Sequence, residues 1–207
     1  SKGYFLMDTD PSRLEQILTF SRALDRLKQV ERRSPLMDNS RRENSAEHSW
    51  HAAVAAMLFA GYAAEPVDGG RVAAMLLIHD VIEIEAGDTF CYDAEANQDK
   101  QERELAAAEQ LFGLLPPGPG REMRDLWDEF EAAESPEARF AHAMDRFQAL
   151  LQNFHSQGGT WREYGVPRSW VLKRMGAVRT GAPGLWPRVV AILDLACRRG
   201  YLQDDSE

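Results

Sequence analysis

A histidine and an aspartate stand side by side at His79-Asp80, inside Met75-Leu-Leu-Ile-His-Asp-Val-Ile-Glu83, a run otherwise suited to a buried helix. Burying such groups is costly unless they are paired or bound to a metal. Glu83 follows four residues after His79 and three after Asp80, so on a helix its carboxylate faces the same side one turn on. One turn of chain could therefore hold two metal ligands and a base. His48 and Asp145 are equally out of place, each set among residues that look like core. Together the four make a mixed nitrogen and oxygen donor set for one divalent ion. Imidazole nitrogen suits Mn, Fe, Co, Ni or Zn better than Mg or Ca, and four protein donors on a six-coordinate ion leave room for water and substrate. That pattern favours catalysis over a closed structural site. Taken singly, each is a residue type that more often hydrogen-bonds in a core or sits at a surface. His51, one turn after His48, and His142, one turn before Asp145, could each approach the ion, but a place behind the ligands or at the surface is the expectation for both.

The elements that must position these residues read as helices, so the expected fold is all-α. Asp10-Pro11-Ser12 opens a first helix, with Leu14, Ile17, Leu18, Leu24, Leu27 and Val30 at helical spacing and an end near Arg32. Asn44 or Ser45 caps a second helix over 46–62, which carries His48. A third over 71–84, closing at Gly87, carries His79-Asp80. Residues 88–99 are expected as an ordered loop and 100–115 as a helix, ended by a Pro/Gly run at 116–120 that reads as a loop. A helix over 121–133 follows, and then Ser135-Pro136-Glu137 starts one through 152 that carries Asp145. Segments 166–178 and 186–199 complete the bundle. No alternating strand runs and no internal repeat are found. Residues 1–207 are read as a single domain, with 12–155 as its core and 156–207 as C-terminal helices completing the bundle.

The bulk properties narrow the partners. The formal charge of −9 argues against nucleic acid and anionic membranes, because both depend on Lys and Arg meeting phosphates. The longest apolar stretches, 52–60 and 72–78, fall far short of the ~20 residues needed to cross a bilayer. No basic, apolar leader pattern opens the sequence. Cys91 and Cys197 are the only cysteines, too few for a disulfide framework, which favours a reducing, cytoplasmic setting.

The order His48, His79-Asp80, Asp145 resembles the HD-domain superfamily. Two longer stretches, Arg41-Arg-Glu-Asn-Ser-Ala-Glu-His48-Ser and His79-Asp-Val-Ile-Glu-Ile-Glu-Ala-Gly-Asp88, look like the branch holding bacterial 5′-deoxynucleotidases and human HD-domain-containing relatives. The resemblance covers about residues 12–155. It implies a single-domain helical bundle in which His48, His79, Asp80 and Asp145 bind the metal, while Glu83 and Asp88 position or deprotonate the attacking water. Arg33, fifteen residues before His48, falls where that branch places an arginine on the substrate phosphate, a task its bidentate fork suits. Ser34 departs from the pattern, standing where those enzymes carry an aromatic tied to sugar selection. Residues 161–185, with Trp170 and Trp186 nearby, have no aligned counterpart.

The implied function is hydrolysis of a small phosphorylated substrate, a nucleoside or deoxynucleoside 5′-monophosphate. Two other readings stay open: an HD hydrolase of another phosphate ester or nucleoside triphosphate, and a non-catalytic metal- and nucleotide-binding module. Lys100 and Glu104 are read as a solvated i,i+4 pair, and Arg41-Arg42 as phosphate-binding or loop-capping. A homodimer is a further expectation, with the C-terminal helices bearing Trp170 and Trp186 as interface or as internal core.

Overall fold

The computed structural model describes residues 10–89, 91–92 and 98–205. Helix α1 (Pro11–Leu24) starts as its sequence dictates, Asp10 accepting from the Ser12 N–H at 2.9 Å with proline in the first turn. It ends at Leu24, well before Arg32. A 3-10 turn over Asp25–Gln29 follows, and the chain then extends as β1 (Glu31–Pro35), antiparallel to β2 (Arg42–Asn44). The ring of Pro35 disfavours a helical Ser34, and pairing of Glu31 with Asn44 and Pro35 with Arg42 takes up the backbone instead. This two-stranded sheet was not foreseen. It matters because side chains alternate along a strand: Arg32 turns inward and Arg33 outward.

Helix α2 (Ser45–Phe59) opens with a capping box in which Asn44 accepts from the Glu47 N–H at 2.9 Å and Glu47 accepts from the Asn44 N–H at 3.1 Å. Helix α3 (Gly69–Ile78), capped by Asp68, does not run on to 84 as expected. His79 Nδ1 lies 2.7 Å from the Leu76 carbonyl, and the next turn tightens to Val81 N–H on Ile78 O and Glu83 N–H on Asp80 O, both at 3.0 Å. The histidine side chain competes with the helical ladder, so helix resumes only as the short α4 (Glu83–Ala86), ended by Gly87 at φ 76°.

Helix α5 (Lys100–Phe112) stops short of 115, and α6 (Pro117–Ala132) begins inside the Pro/Gly run that was expected to be a loop. The first four N–H groups of a helix lack intrahelical partners, so prolines at 117 and 119 sacrifice nothing there. Helix α7 (Pro136–His155), capped by Ser135, runs past 152. Helix α8 (Gly159–Glu163) follows; the expected helix over 166–178 is two, α9 (Arg168–Arg174) and α10 (Gly176–Gly181), and α11 (Trp186–Arg198) closes the order.

Two apolar clusters hold these elements. One joins Ala52 and Ala56 of α2, Val72, Met75 and Leu76 of α3, and Phe140, Met144 and Phe147 of α7 with Val178, Val189 and Leu193 of the C-terminal helices. Gly181 lets α10 lie on α7, because a Cβ there would meet the Arg139 carbonyl oxygen at 2.2 Å. The second joins Phe20, Leu27, Leu111, Phe112 and Trp127 with Val81 and Ile82. Each large side chain so buried contributes about 1.5–3 kcal/mol. Met75 and Leu76 thus anchor the chain before His79-Asp80 in one cluster, and Val81 and Ile82 anchor it after in the other. Among the described residues, no helix is long and apolar enough to cross a membrane.

Candidate metal centre

His48, His79 and Asp145 are brought together from α2, the turn after α3, and α7, all three buried. One donor atom from each lies within 4.8 Å of the other two. His48 Nε2 is 2.9 Å from Asp145 Oδ1, and the two imidazole rings are 5.5 Å apart. Asp80 borders this trio: its Oδ1 is 3.1 Å from His79 Nε2 and its Oδ2 is 3.9 Å from His48 Nε2.

Hydrogen bonds behind the histidines decide what they offer. His79 Nδ1 donates to the Leu76 carbonyl at 2.7 Å. His48 Nδ1 sits 2.8 Å from Gln148 Oε1, and the amide is oriented by its own Nε2, which donates to Glu43 at 3.0 Å. Both rings therefore carry their proton on Nδ1 and aim an Nε2 lone pair at carboxylate oxygens. Lone pairs facing carboxylates repel unless a cation lies between them, so this donor set fits a divalent ion. Burial lowers the His79 pKa, which also favours the neutral, ligating ring. Burial alone would raise the Asp145 carboxyl, but the Arg146 guanidinium beside it holds it well below the usual range.

The acids expected to handle water adjoin the trio. Glu83 is buried and accepts from Ser45 Oγ at 2.5 Å; burial and the nearby Asp80 charge push its carboxyl well above the ordinary value. Burial also raises Asp88. Both line a cavity of about 160 Å³ together with Asp80, Asp145, Arg32, Arg33, Ser34 and Lys100.

Arg33 reaches this cavity but is exposed, and its Nη1 donates to the Tyr164 hydroxyl at 3.1 Å. The deeper cation is Arg32, which the expected helix had hidden: Nη1 donates to Asp80 Oδ2 at 2.9 Å and Nε lies 3.6 Å from Glu43. Burial opposes its charge, but Asp80, Glu83 and Asp88 outweigh that and raise its pKa. Glu43 and Gln148 were also missed, although each betrays itself as a polar residue beside core positions. His51 meets the centre through Gln148, its Nδ1 lying 3.2 Å from the amide Nε2. His142 is turned away, its Nε2 2.7 Å from the Phe130 carbonyl and its ring stacked on Phe130. Lys100 and Glu104 pair at 3.3 Å as expected, yet Lys100 also lines the cavity. Arg41 braces the α2 cap through Glu47 at 2.5 Å, and Arg42 holds the Arg33 carbonyl at 3.0 Å.

A family model for the HD domain matches residues 24–186. The human 5′-deoxynucleotidase HDDC2 is 31% identical over 137 residues, which cover 66% of this chain and 66% of that protein. The match thus spans about two thirds of that relative's length. The 5′-deoxynucleotidase hdd1 of Schizosaccharomyces pombe is 27% identical over 144 residues, covering 67% of this chain and 71% of that protein. A solved structure of a predicted metal-dependent phosphohydrolase from Magnetospirillum magnetotacticum MS-1 is 52% identical, with a TM-score of 0.87 over 93% of this chain and 99% of that one. An HD-domain phosphohydrolase from Listeria innocua, 16% identical at a TM-score of 0.60 over 89% of this chain and 95% of that one, shares the fold. By sequence and by fold, the chain belongs to the HD-domain family.

Proposed function

We propose that the protein is a metal-dependent phosphohydrolase that releases phosphate from nucleoside or deoxynucleoside 5′-monophosphates, with His48, His79, Asp80 and Asp145 as the metal ligands. One observation carries this reading: two imidazole lone pairs and a carboxylate converge in a buried cluster beside a cavity that also holds two displaced acids and several arginines. The naming of its relatives as 5′-deoxynucleotidases supports the substrate.

A divalent ion bound there supplies Lewis-acid stabilisation of phosphate charge and acidifies water. The mixed imidazole and carboxylate set favours Mn, Fe, Co, Ni or Zn over Mg. Glu83 and Asp88, raised by burial, are acids able to hold and pass a proton near the reacting phosphate. Arg33 lines the cavity mouth and offsets charge on the non-bridging oxygens. Asp80 is held by Arg32 through Oδ2, which leaves Oδ1 toward His79. Trp161, buried in α8, lines the same cavity as Ser34 and offers an apolar wall to a nucleoside.

A homodimer and a cytoplasmic setting belong to the same proposal. Trp50, Val54, Met57 and Leu58 form an exposed apolar stripe on α2, with Leu58 74% exposed, a better interface candidate than Trp170, which stacks on Tyr92. Cys91 and Cys197 are free thiols.

The test is phosphate release from a panel of ribo- and deoxynucleoside monophosphates, with the protein stripped of metal and then reconstituted with Mn, Co, Zn or Mg. Metal-dependent release supports the proposal, and the deoxy-to-ribo ratio reads the effect of Ser34. Absence of release from every monophosphate under every metal overturns the substrate assignment.

A further inference from the structure

Four arginines line the cavity beside the metal centre. Three have protein partners: Arg32 pairs with Asp80, Arg33 donates to Tyr164, and Arg146 pairs with Asp145. Arg174, in the last turn of α9, lines the same cavity and makes no ion pair or hydrogen bond among the described residues. It is half-buried, and Val171 and Met175 of the core line the cavity with it. After burial, the strongest influence on it is the like charge of Arg146, and both lower its pKa. A partly buried cation that shares a cavity with another cation is unfavourable until an anion enters beside them.

We propose that Arg174 binds the phosphate of the substrate from the side of the C-terminal helices. Its guanidinium can give two parallel N–H donors to phosphate oxygens, while Arg146 stays committed to Asp145 and Arg33 serves the mouth. This assignment rests on the cavity being where the phosphate ester binds, but not on which ester that is. It gives the segment after residue 155 a role in recognition. The alternative is that Arg174 merely complements the carbonyl end of α9, where a cation is favourable.

Binding of inorganic phosphate to the metal-reconstituted protein separates the two. Isothermal titration and thermal unfolding are compared for the wild type, Arg174→Gln and Arg174→Lys. The expected result is phosphate affinity weakened about tenfold or more in Arg174→Gln and partly restored in Arg174→Lys, which keeps the charge but loses the fork. Without phosphate, Arg174→Gln should unfold at the same temperature as the wild type or higher, and the rise on adding phosphate should shrink. Steady-state turnover of a hydrolysed ester should show KM raised more than kcat is lowered. Wild-type phosphate affinity in Arg174→Gln, or a lowered unfolding temperature with the phosphate-induced rise intact, overturns the proposal. If Arg174→Gln does not fold, Arg174→Lys decides, since undiminished phosphate affinity there is equally fatal. Phosphate binding through Arg174 in a protein that hydrolyses no nucleoside monophosphate would leave this proposal standing and remove only the substrate assignment.

Discussion

Arg32 Nη1 and Asp80 Oδ2 form a 2.9 Å ion pair that sets an inward-facing strand residue directly behind the His-Asp doublet. The arginine also faces Glu43 at 3.6 Å, so one buried cation balances several carboxylates. Replacing Arg32 by methionine keeps much of the side-chain volume but leaves those charges uncompensated, which should cost about 3–5 kcal/mol of stability. Part of that loss should return when a divalent ion is added. Urea unfolding of the Arg32→Met protein, with and without Mn, measures both effects. A loss under about 1 kcal/mol would mean that the ion pair is dispensable.

Gln148 controls the second imidazole. With Gln148→Leu, His48 loses the acceptor that holds its proton on Nδ1, and Glu43 loses a donor at 3.0 Å. Metal affinity should fall about 10–100-fold, the range typical of groups that orient a ligand from behind. Chelator competition reads this directly, independently of turnover. Unchanged affinity would show that His48 needs no such support.

The sequence exposes the ligands better than their supports, and the reason is physical. His48, His79 and Asp145 are polar residues in apolar helical runs, a conflict visible without coordinates. Arg32 is hidden because its inward direction depends on a strand pairing between residues 31–35 and 42–44, a long-range choice that helical spacing through Val30 does not reveal. Gln148 and Glu43 meet across 105 residues of chain, and nothing local marks them as partners. The helix break at His79 is a side-chain effect, in which an imidazole takes a carbonyl from the ladder. The start of α6 within a Pro/Gly run is a case of two opposite readings of proline, loop or first turn, that only packing separates.

The ligand and acid roles separate by metal content. Asp80→Ala and Asp145→Asn should each abolish both bound metal and turnover while far-ultraviolet circular dichroism stays helical. Glu83→Gln should keep the metal but lower kcat about 10²–10⁴-fold, as expected for loss of a proton-transferring group. Elemental analysis beside steady-state kinetics checks the set. Loss of metal in Glu83→Gln would move that residue into the ligand shell, and full activity in metal-free Asp80→Ala would remove the mechanism.

Glu83 should also leave a signature in the pH dependence of stability. Burial and the Asp80 charge raise its folded pKa well above the ordinary value, whereas an unfolded glutamic acid titrates at about 4.3. Between those two values the folded chain binds more protons than the unfolded one, so stability falls as pH rises through that window and the penalty is complete above the folded pKa. His79, lowered by burial, works in the opposite sense, because acidification protonates the unfolded histidine first. The variant difference isolates Glu83. In metal-free protein, Glu83→Gln keeps an acceptor for Ser45 and removes the charge, so it should be more stable than the wild type at about pH 8, with the advantage shrinking toward about pH 5. Added divalent ion should narrow the gap at the higher pH, because the cation offsets the charge that Glu83 and Asp80 place together. Urea unfolding across this range measures the difference, and a gap that does not change with pH would show that the Glu83 carboxylate is not held against its ionisation.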